Sequence, residues 1–191
     1  MGVTAINLLG ISGSIRSKST NTAILKTLQE RLAGTATLSI IPLNDIPLYN
    51  ADHDGDGIPS SVRSLKEAIS SADGLVLCSP EYNYGTSGVL KNALDWASRP
   101  AYQSPLKGKP ALIMTSSPGL TGGVRAHQQV RDTLISALGR VIACPQVVIS
   151  NVYQKVENER LSDESSISFA LEAISHLVQE VNLLRRAEAR S

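Results

Sequence analysis

The sequence predicts an α/β fold, a five-stranded parallel sheet with helices on both faces. Three observations lead there. Short apolar runs alternate with longer segments of helical period, five times along the chain. The runs show little apolar–polar alternation, as expected of strands covered on both sides. Polar turns rich in serine, asparagine and glycine follow three of them, at the strand ends where such sheets bind ligands. With 191 residues and 42% hydrophobic content, the chain suffices for one sizeable core and is too short for two ordinary domains. Residues 1–191 are read as a single domain.

The elements follow in order. Ala5 to Ile11 reads as the first strand and Thr22 to Leu32 as the first helix. A second strand is expected near 37–41 and a helix near 61–72, joined by a polar surface connection from Pro42 to Ser61. Within it, Asp52-x-Asp54-x-Asp56-Gly57 matches half of a calcium loop. Arg63 stands where the bidentate glutamate belongs, and Pro42, Pro47 and Pro59 argue against flanking helices. Gly74 to Ser79 is a nearly continuous apolar strand. The next helix, near 88–98, repeats Val89, Leu90, Ala93, Leu94 and Ala97 at helical spacing, with Lys91, Asn92 and Asp95 on its other face. Strands near 110–115 and 141–149 and helices near 123–138 and 164–188 complete the alternation. In the last helix Ile167, Leu171, Ile174, Leu177, Val178, Val181 and Leu184 form the packing stripe, and Arg185 and Arg186 suit its negative dipole end.

Charge and composition exclude several functions. Lysine plus arginine number 18 against 17 acidic residues, a formal charge of +1, so no overall basic field draws the chain to nucleic acid or an anionic membrane. No apolar run approaches the roughly 20 residues of a spanning helix, and no signal core opens the sequence. A cytoplasmic location is expected. Cys78 and Cys144 form no Cys-x-x-Cys pair, and His53, His127 and His176 are scattered. No metal site is expected.

Three loops carry the chemistry. The first, Ser12 to Asn21, holds short hydroxyl and amide side chains before a helix start. These cap the helix and donate to an anion, where free N–H groups and the positive dipole end favour phosphate. Arg16 adds a charged fork. An ordinary capped turn uses the same residue types. No Gly-x-x-x-x-Gly-Lys-[Ser/Thr] occurs, and Gly10-x-x-Gly13 lacks the three-glycine dinucleotide pattern. The second loop, Pro80-Glu81-Tyr82-Asn83-Tyr84, opens into the helix ending near Trp96. The third runs from Ser116 and Ser117 through Gly119 to Gly122-Gly123, whose glycines allow close approach to a flat ligand.

These segments resemble the NADPH-dependent FMN reductases of the flavodoxin-like superfamily, in the group of quinone, azo-dye and chromate reductases. The matching residues are Gly13-Ser14-x-Arg16-x-x-Ser19-x-Asn21, Pro80 to Tyr84 with Gly88 to Trp96, and Ser116-Ser117 with Gly122-Gly123-x-Arg125. The resemblance spans about Ala5 to Ser150. It implies a flavodoxin-like three-layer sandwich of strand order 2-1-3-4-5, which brings the first and second loops to one crevice. It also implies that Ser14, Arg16, Ser19, Thr20 and Asn21 hold the FMN phosphate. Pro80, Glu81, Tyr82, Asn83 and Tyr84 then line the isoalloxazine edge and ribityl chain, and Ser116, Ser117 and Gly119 close the other side. NADPH or NADH is the implied donor, a quinone, azo compound or related molecule the acceptor, and a homodimer or homotetramer the assembly. Flavin chemistry needs no side chain as acid or base, so no catalytic residue is assigned. Two departures stand out: Gly85-Thr86-Ser87 replaces a common Ser-aliphatic-Pro, and His127 replaces a common glutamine. A flavodoxin-like electron carrier and a redox-inactive phosphate-binding module are the alternative functions.

Overall fold

The computed structural model of the chain describes residues 5–32, 34 and 36–189, without the Asp56 side chain. Strand β1 (Ile6–Ser12) leads into helix α1 (Thr20–Arg31) and strand β2 (Ala36–Ile41). A long connection with short 3-10 turns at Ala51–His53 and Gly55–Gly57 reaches α2 (Ser60–Ser71). The half calcium motif therefore sits in those turns, with no flanking α-helix pair; its Asp56 side chain lies outside the described residues. Next come β3 (Gly74–Tyr82), the short β4 (Gly85–Thr86), α3 (Gly88–Ala97), β5 (Pro110–Ser116) and α4 (Val124–Ser136). The chain ends through β6 (Arg140–Val141), β7 (Val147–Ile149), a small hairpin of β8 (Val156–Glu157) and β9 (Arg160–Leu161), and α5 (Glu164–Glu188).

The main sheet runs β2-β1-β3-β5-β6, with β4 antiparallel on β3 and β7 parallel on β5. It holds seven strands rather than five, so the expected order 2-1-3-4-5 becomes 2-1-3-5-6 in chain numbering. Two local causes account for this. The third strand overruns the sheet and doubles back as β4. The single strand expected at 141–149 is broken, because β6 ends before Cys144-Pro145 and proline has no N–H to give to the ladder.

Strand alternation divides the core into two layers. Leu8, Val76, Cys78, Leu112 and Met114 face α1 and α5, where they meet Ile24, Leu28, Ile174 and Leu177. Leu9, Ile11, Leu75, Leu77 and Ile113 face the opposite side, against Leu65 and Ile69 of α2, Leu90 and Leu94 of α3, and Val130 and Leu134 of α4. This is the three-layer arrangement. Registers Ser12↔Cys78 and Pro80↔Ser116 set the ends of β1, β3 and β5 at neighbouring heights. The three polar loops therefore start from one edge of the sheet. Among the described residues no helix is long and apolar enough to cross a membrane.

Candidate functional site

The first loop is fixed at its base and open above. Thr22 Oγ1 donates to Ser12 Oγ at 2.9 Å. Ser19 caps α1, its Oγ accepting from Thr22 N at 3.2 Å and its carbonyl from Ala23 N at 2.9 Å. The N–H groups of Thr20 and Asn21 are the ones left over for an anion. Ser14 is half-buried, and Arg16, Ser17 and Lys18 are exposed. A cavity of about 470 Å³ on one flank is lined by Arg16, Lys18, Ser19 and Thr20, with Tyr153 and Asn158 opposite. Another of about 430 Å³ lies between Ser14, Arg16 and Ser17 and the end of β2. Arg16 borders both.

The second loop is a hairpin. Asn83 and Tyr84 take left-handed conformations, φ 50° and 66°, and pair Tyr82 with Gly85 and Glu81 with Thr86. Two successive positive φ values turn β3 back on itself with the twist that hairpins favour. Tyr82 and Tyr84 are left 53% and 72% exposed. Glu81 behaves differently from the expected ring lining. Its Oε2 accepts from Arg125 N at 3.0 Å and Ala126 N at 3.3 Å, and its Oε1 from Arg125 Nη1 at 3.3 Å. The carboxylate is thus committed to the start of α4, where the helix dipole favours it. The Arg125 guanidinium in turn lies 4.3 Å from the Tyr84 ring centroid, a cation–π contact.

Gly85 lies against the end of the Gln129 side chain. The Gln129 Oε1 accepts from Thr86 N at 2.9 Å and would lie 2.7 Å from a Cβ at position 85. A side chain there would push the flexible end of Gln129 off Thr86, so the departure from the common pattern goes with this hydrogen bond. The third residue of that departure, Ser87, caps α3 by accepting from Leu90 N at 3.2 Å. It also donates to the Gly13 carbonyl at 2.6 Å, joining the first loop to the second. A Cβ on Gly13 would sit 3.0 Å from Pro80 Cδ and 3.2 Å from Ser79 Cα, so only glycine lets the loops meet this closely.

Asn21 is 2% exposed. Its Oδ1 accepts from Ser116 Oγ at 3.0 Å and Cys78 Sγ at 3.2 Å. That oxygen ties α1 to β3 and β5 instead of gripping a phosphate. Ser116 is buried with it, so its hydroxyl also supports the scaffold. Ser117 N donates to Ile149 O at 3.0 Å, and Ser117 Oγ accepts from Gly119 N at 3.1 Å, shaping a third loop whose Gly119 is exposed. Burial pushes the Cys78 thiol far up, which makes it a poor nucleophile. His127 is in the first turn of α4, on its buried face. Burial pulls its pKa down, opposed by its bond to the Ile113 backbone and aided by Arg131. Sequence reasoning missed the Ser87, Glu81 and Gln129 contacts; the helix-cap position of Ser87 was the one local signal available.

The sequence model described as NADPH-dependent FMN reductase matches residues 6–154. The chain is 39% identical to an NAD(P)H-dependent FMN reductase of Pseudomonas aeruginosa, covering 94% of this chain and 97% of that one. It is 35% identical to a quinone reductase of Escherichia coli, covering 93% and 98%. Among solved structures it resembles FerB, a flavoenzyme NAD(P)H:(acceptor) oxidoreductase from Paracoccus denitrificans. The TM-score there is 0.83 at 30% identity, over 93% of this chain and 98% of the other.

Proposed function

This chain belongs to the NADPH-dependent FMN reductase family, and from that premise we propose that it is an enzyme that passes electrons from NAD(P)H through bound FMN to quinones. The carrying observation is the Ser87–Gly13 bond, which joins the loops after β1 and β3 where the strand order reverses. On one side lies a cationic, hydroxyl-rich helix start, on the other an exposed tyrosine hairpin.

The donor set fits FMN. Arg16, Ser14, Ser19 and the N–H groups of Thr20 and Asn21 provide for a phosphate dianion. Pro80, Tyr82, Asn83 and Tyr84 line the ring edge, and Ser117 and Gly119 border the opposite side, where a Cβ on Gly119 would meet only Ser117 Oγ, at 3.6 Å. When bound, FMN supplies the redox chemistry, two-electron exchange with a nicotinamide and then with a quinone. The chain's own residues bind and orient. Asn21 and Ser116 hold the loop-bearing strands together. Glu81 and Arg125 fix the hairpin, so that Tyr82 and Tyr84 offer ring faces to planar acceptors, quinones first and azo compounds second. No side chain is assigned as acid or base.

We read the active form as a cytoplasmic, single-domain protein that assembles as a homodimer or homotetramer; the exposed Tyr82, Tyr84, Leu120 and Val124 support an assembly surface near the crevice. Anaerobic absorbance titration of FMN-loaded protein tests the function, with NADPH and NADH added separately and a quinone afterwards. Bleaching by a nicotinamide and recovery with quinone is the expected result and names the donor. Binding of FMN without reduction by either donor would make the chain an electron carrier, and absence of FMN binding would overturn the reading altogether.

A further inference from the structure

A cleft of about 910 Å³ lies away from the flavin loops and shares no lining residue with them. One wall is a face of α2, where Arg63, Lys66, Glu67 and Ser70 fall at helical spacing. The other is the turn before β5, with Arg99 and Ser104. Lys66 and Arg99 are only partly exposed. Among the described side chains, the cations Arg63, Lys66 and Arg99 line the cleft with the carboxylates Asp54 and Glu67, and Asp54 already accepts from the Tyr49 hydroxyl at 2.9 Å. Among the described residues none of the three cations lies within ion-pair distance of a carboxylate.

Arg99 is also held in place. Its guanidinium carbon sits 5.4 Å from the Tyr49 ring centroid, and Tyr49 meets Trp96 edge-on at 4.9 Å. The Tyr49 N–H donates to Asn92 Oδ1 at 2.8 Å. The Arg99 Nε is buried without a hydrogen-bond partner. Partly desolvated cations without counter-ions are unfavourable, and a rigidly placed guanidinium loses little freedom when an anion arrives. A guanidinium fork, an ammonium and serine hydroxyls together are phosphate-binding chemistry.

We propose that this cleft binds a small phosphomonoester dianion, independently of the flavin site. The phosphate comes either from the nicotinamide donor or from a separate small molecule. Calorimetric titration of the FMN-loaded protein, whose flavin-phosphate site is filled, tests this with inorganic phosphate, 2′-AMP and adenosine as probes. Phosphate and 2′-AMP are expected to bind, more weakly as salt rises, while adenosine does not. Lys66→Gln and Arg99→Gln weaken that binding roughly tenfold or more and leave FMN retention unchanged. Lys66 is on α2 and is no part of the Tyr49–Trp96 ring pair or the Arg99 cation–π contact, so its variant decides the matter if Arg99→Gln fails to fold. Unaltered 2′-AMP binding by folded Lys66→Gln would overturn the proposal, as would no phosphate binding at about 10 mM. A raised KM for NADPH but not NADH in Lys66→Gln identifies the donor's phosphate as the ligand; loss of phosphate binding with both KM values unchanged identifies a separate molecule. The titration relies on the proposed function only for FMN to fill the first site, and the KM comparison alone relies on turnover. FMN that fails to load counts against that function, whereas FMN-loaded protein that binds no phosphate counts against this cleft.

Discussion

Replacing Ser87 by alanine removes two interactions with one atom. The hydroxyl is 2% exposed; it accepts from Leu90 N and donates to the buried Gly13 carbonyl. Loss of a helix N-cap costs about 1 kcal/mol. Leaving a buried carbonyl without a partner costs about 1–3 kcal/mol more. The expected loss is therefore about 3 kcal/mol, or roughly 6–12 °C in Tm for a chain of this size. Urea unfolding of flavin-free protein gives the stability difference directly, with an unchanged m-value if the unfolded state is unaffected. Ser87→Thr, which keeps the oxygen, should recover most of the loss. Because the same bond staples the first loop to the second, FMN affinity should fall several-fold in the alanine variant. A stability loss below about 0.5 kcal/mol, the range of an inert surface change, would refute the claim that this hydroxyl joins the loops.

Three other outcomes follow from the same geometry. Asn21→Ala strips the acceptor from Ser116 and Cys78 and should cost about 2–3 kcal/mol in denaturant unfolding; a neutral result would deny Asn21 its scaffold role. Arg16 is exposed, so Arg16→Ala should leave the flavin-free Tm within about 1 °C while weakening FMN binding about tenfold by fluorescence titration. Unchanged FMN affinity in the folded variant would remove Arg16 from the phosphate site. The pKa of His127 is lowered in the folded state. The unfolded chain then binds the proton more readily, so this stability contribution is complete above the unfolded value near 6.5 and is lost as pH falls through the folded value. His127→Gln should flatten the decline of Tm with pH below about 6.5, and an unchanged pH profile would contradict it.

Much of the framework was legible because its signals are local. Period and run length placed the five α-helices within two residues at each end, while the capping residue of α1, Ser19, could not be picked out from the hydroxyl and amide side chains between Ser12 and Asn21. The hairpin of β3 and β4 was not legible, because it needs Asn83 and Tyr84 both left-handed, and tyrosine seldom adopts that conformation. The β8–β9 hairpin hid for a related reason, its turn being Asn158-Glu159 without glycine. The first and second loops could be assigned to one crevice through strand order, yet the side-chain roles within it could not. Asn21 meets Ser116 across 95 positions and Glu81 meets Arg125 across 44. Such contacts depend on which way a side chain leaves its element, and spacing carries no record of that.

The interruption between β6 and β7 limits what the edge of the sheet on that side can pair with. A free sheet edge offers a row of unpaired N–H and C=O groups that a stray strand can extend. Here that row is two residues at Arg140–Val141 and three at Val147–Ile149, separated by a stretch containing Pro145. Neither piece is long enough to template another strand, so this flank of the sheet resists polymerising edge to edge. Copies that associate on this side must do so through helices and loops, surfaces where residue identity rather than backbone sets the partner.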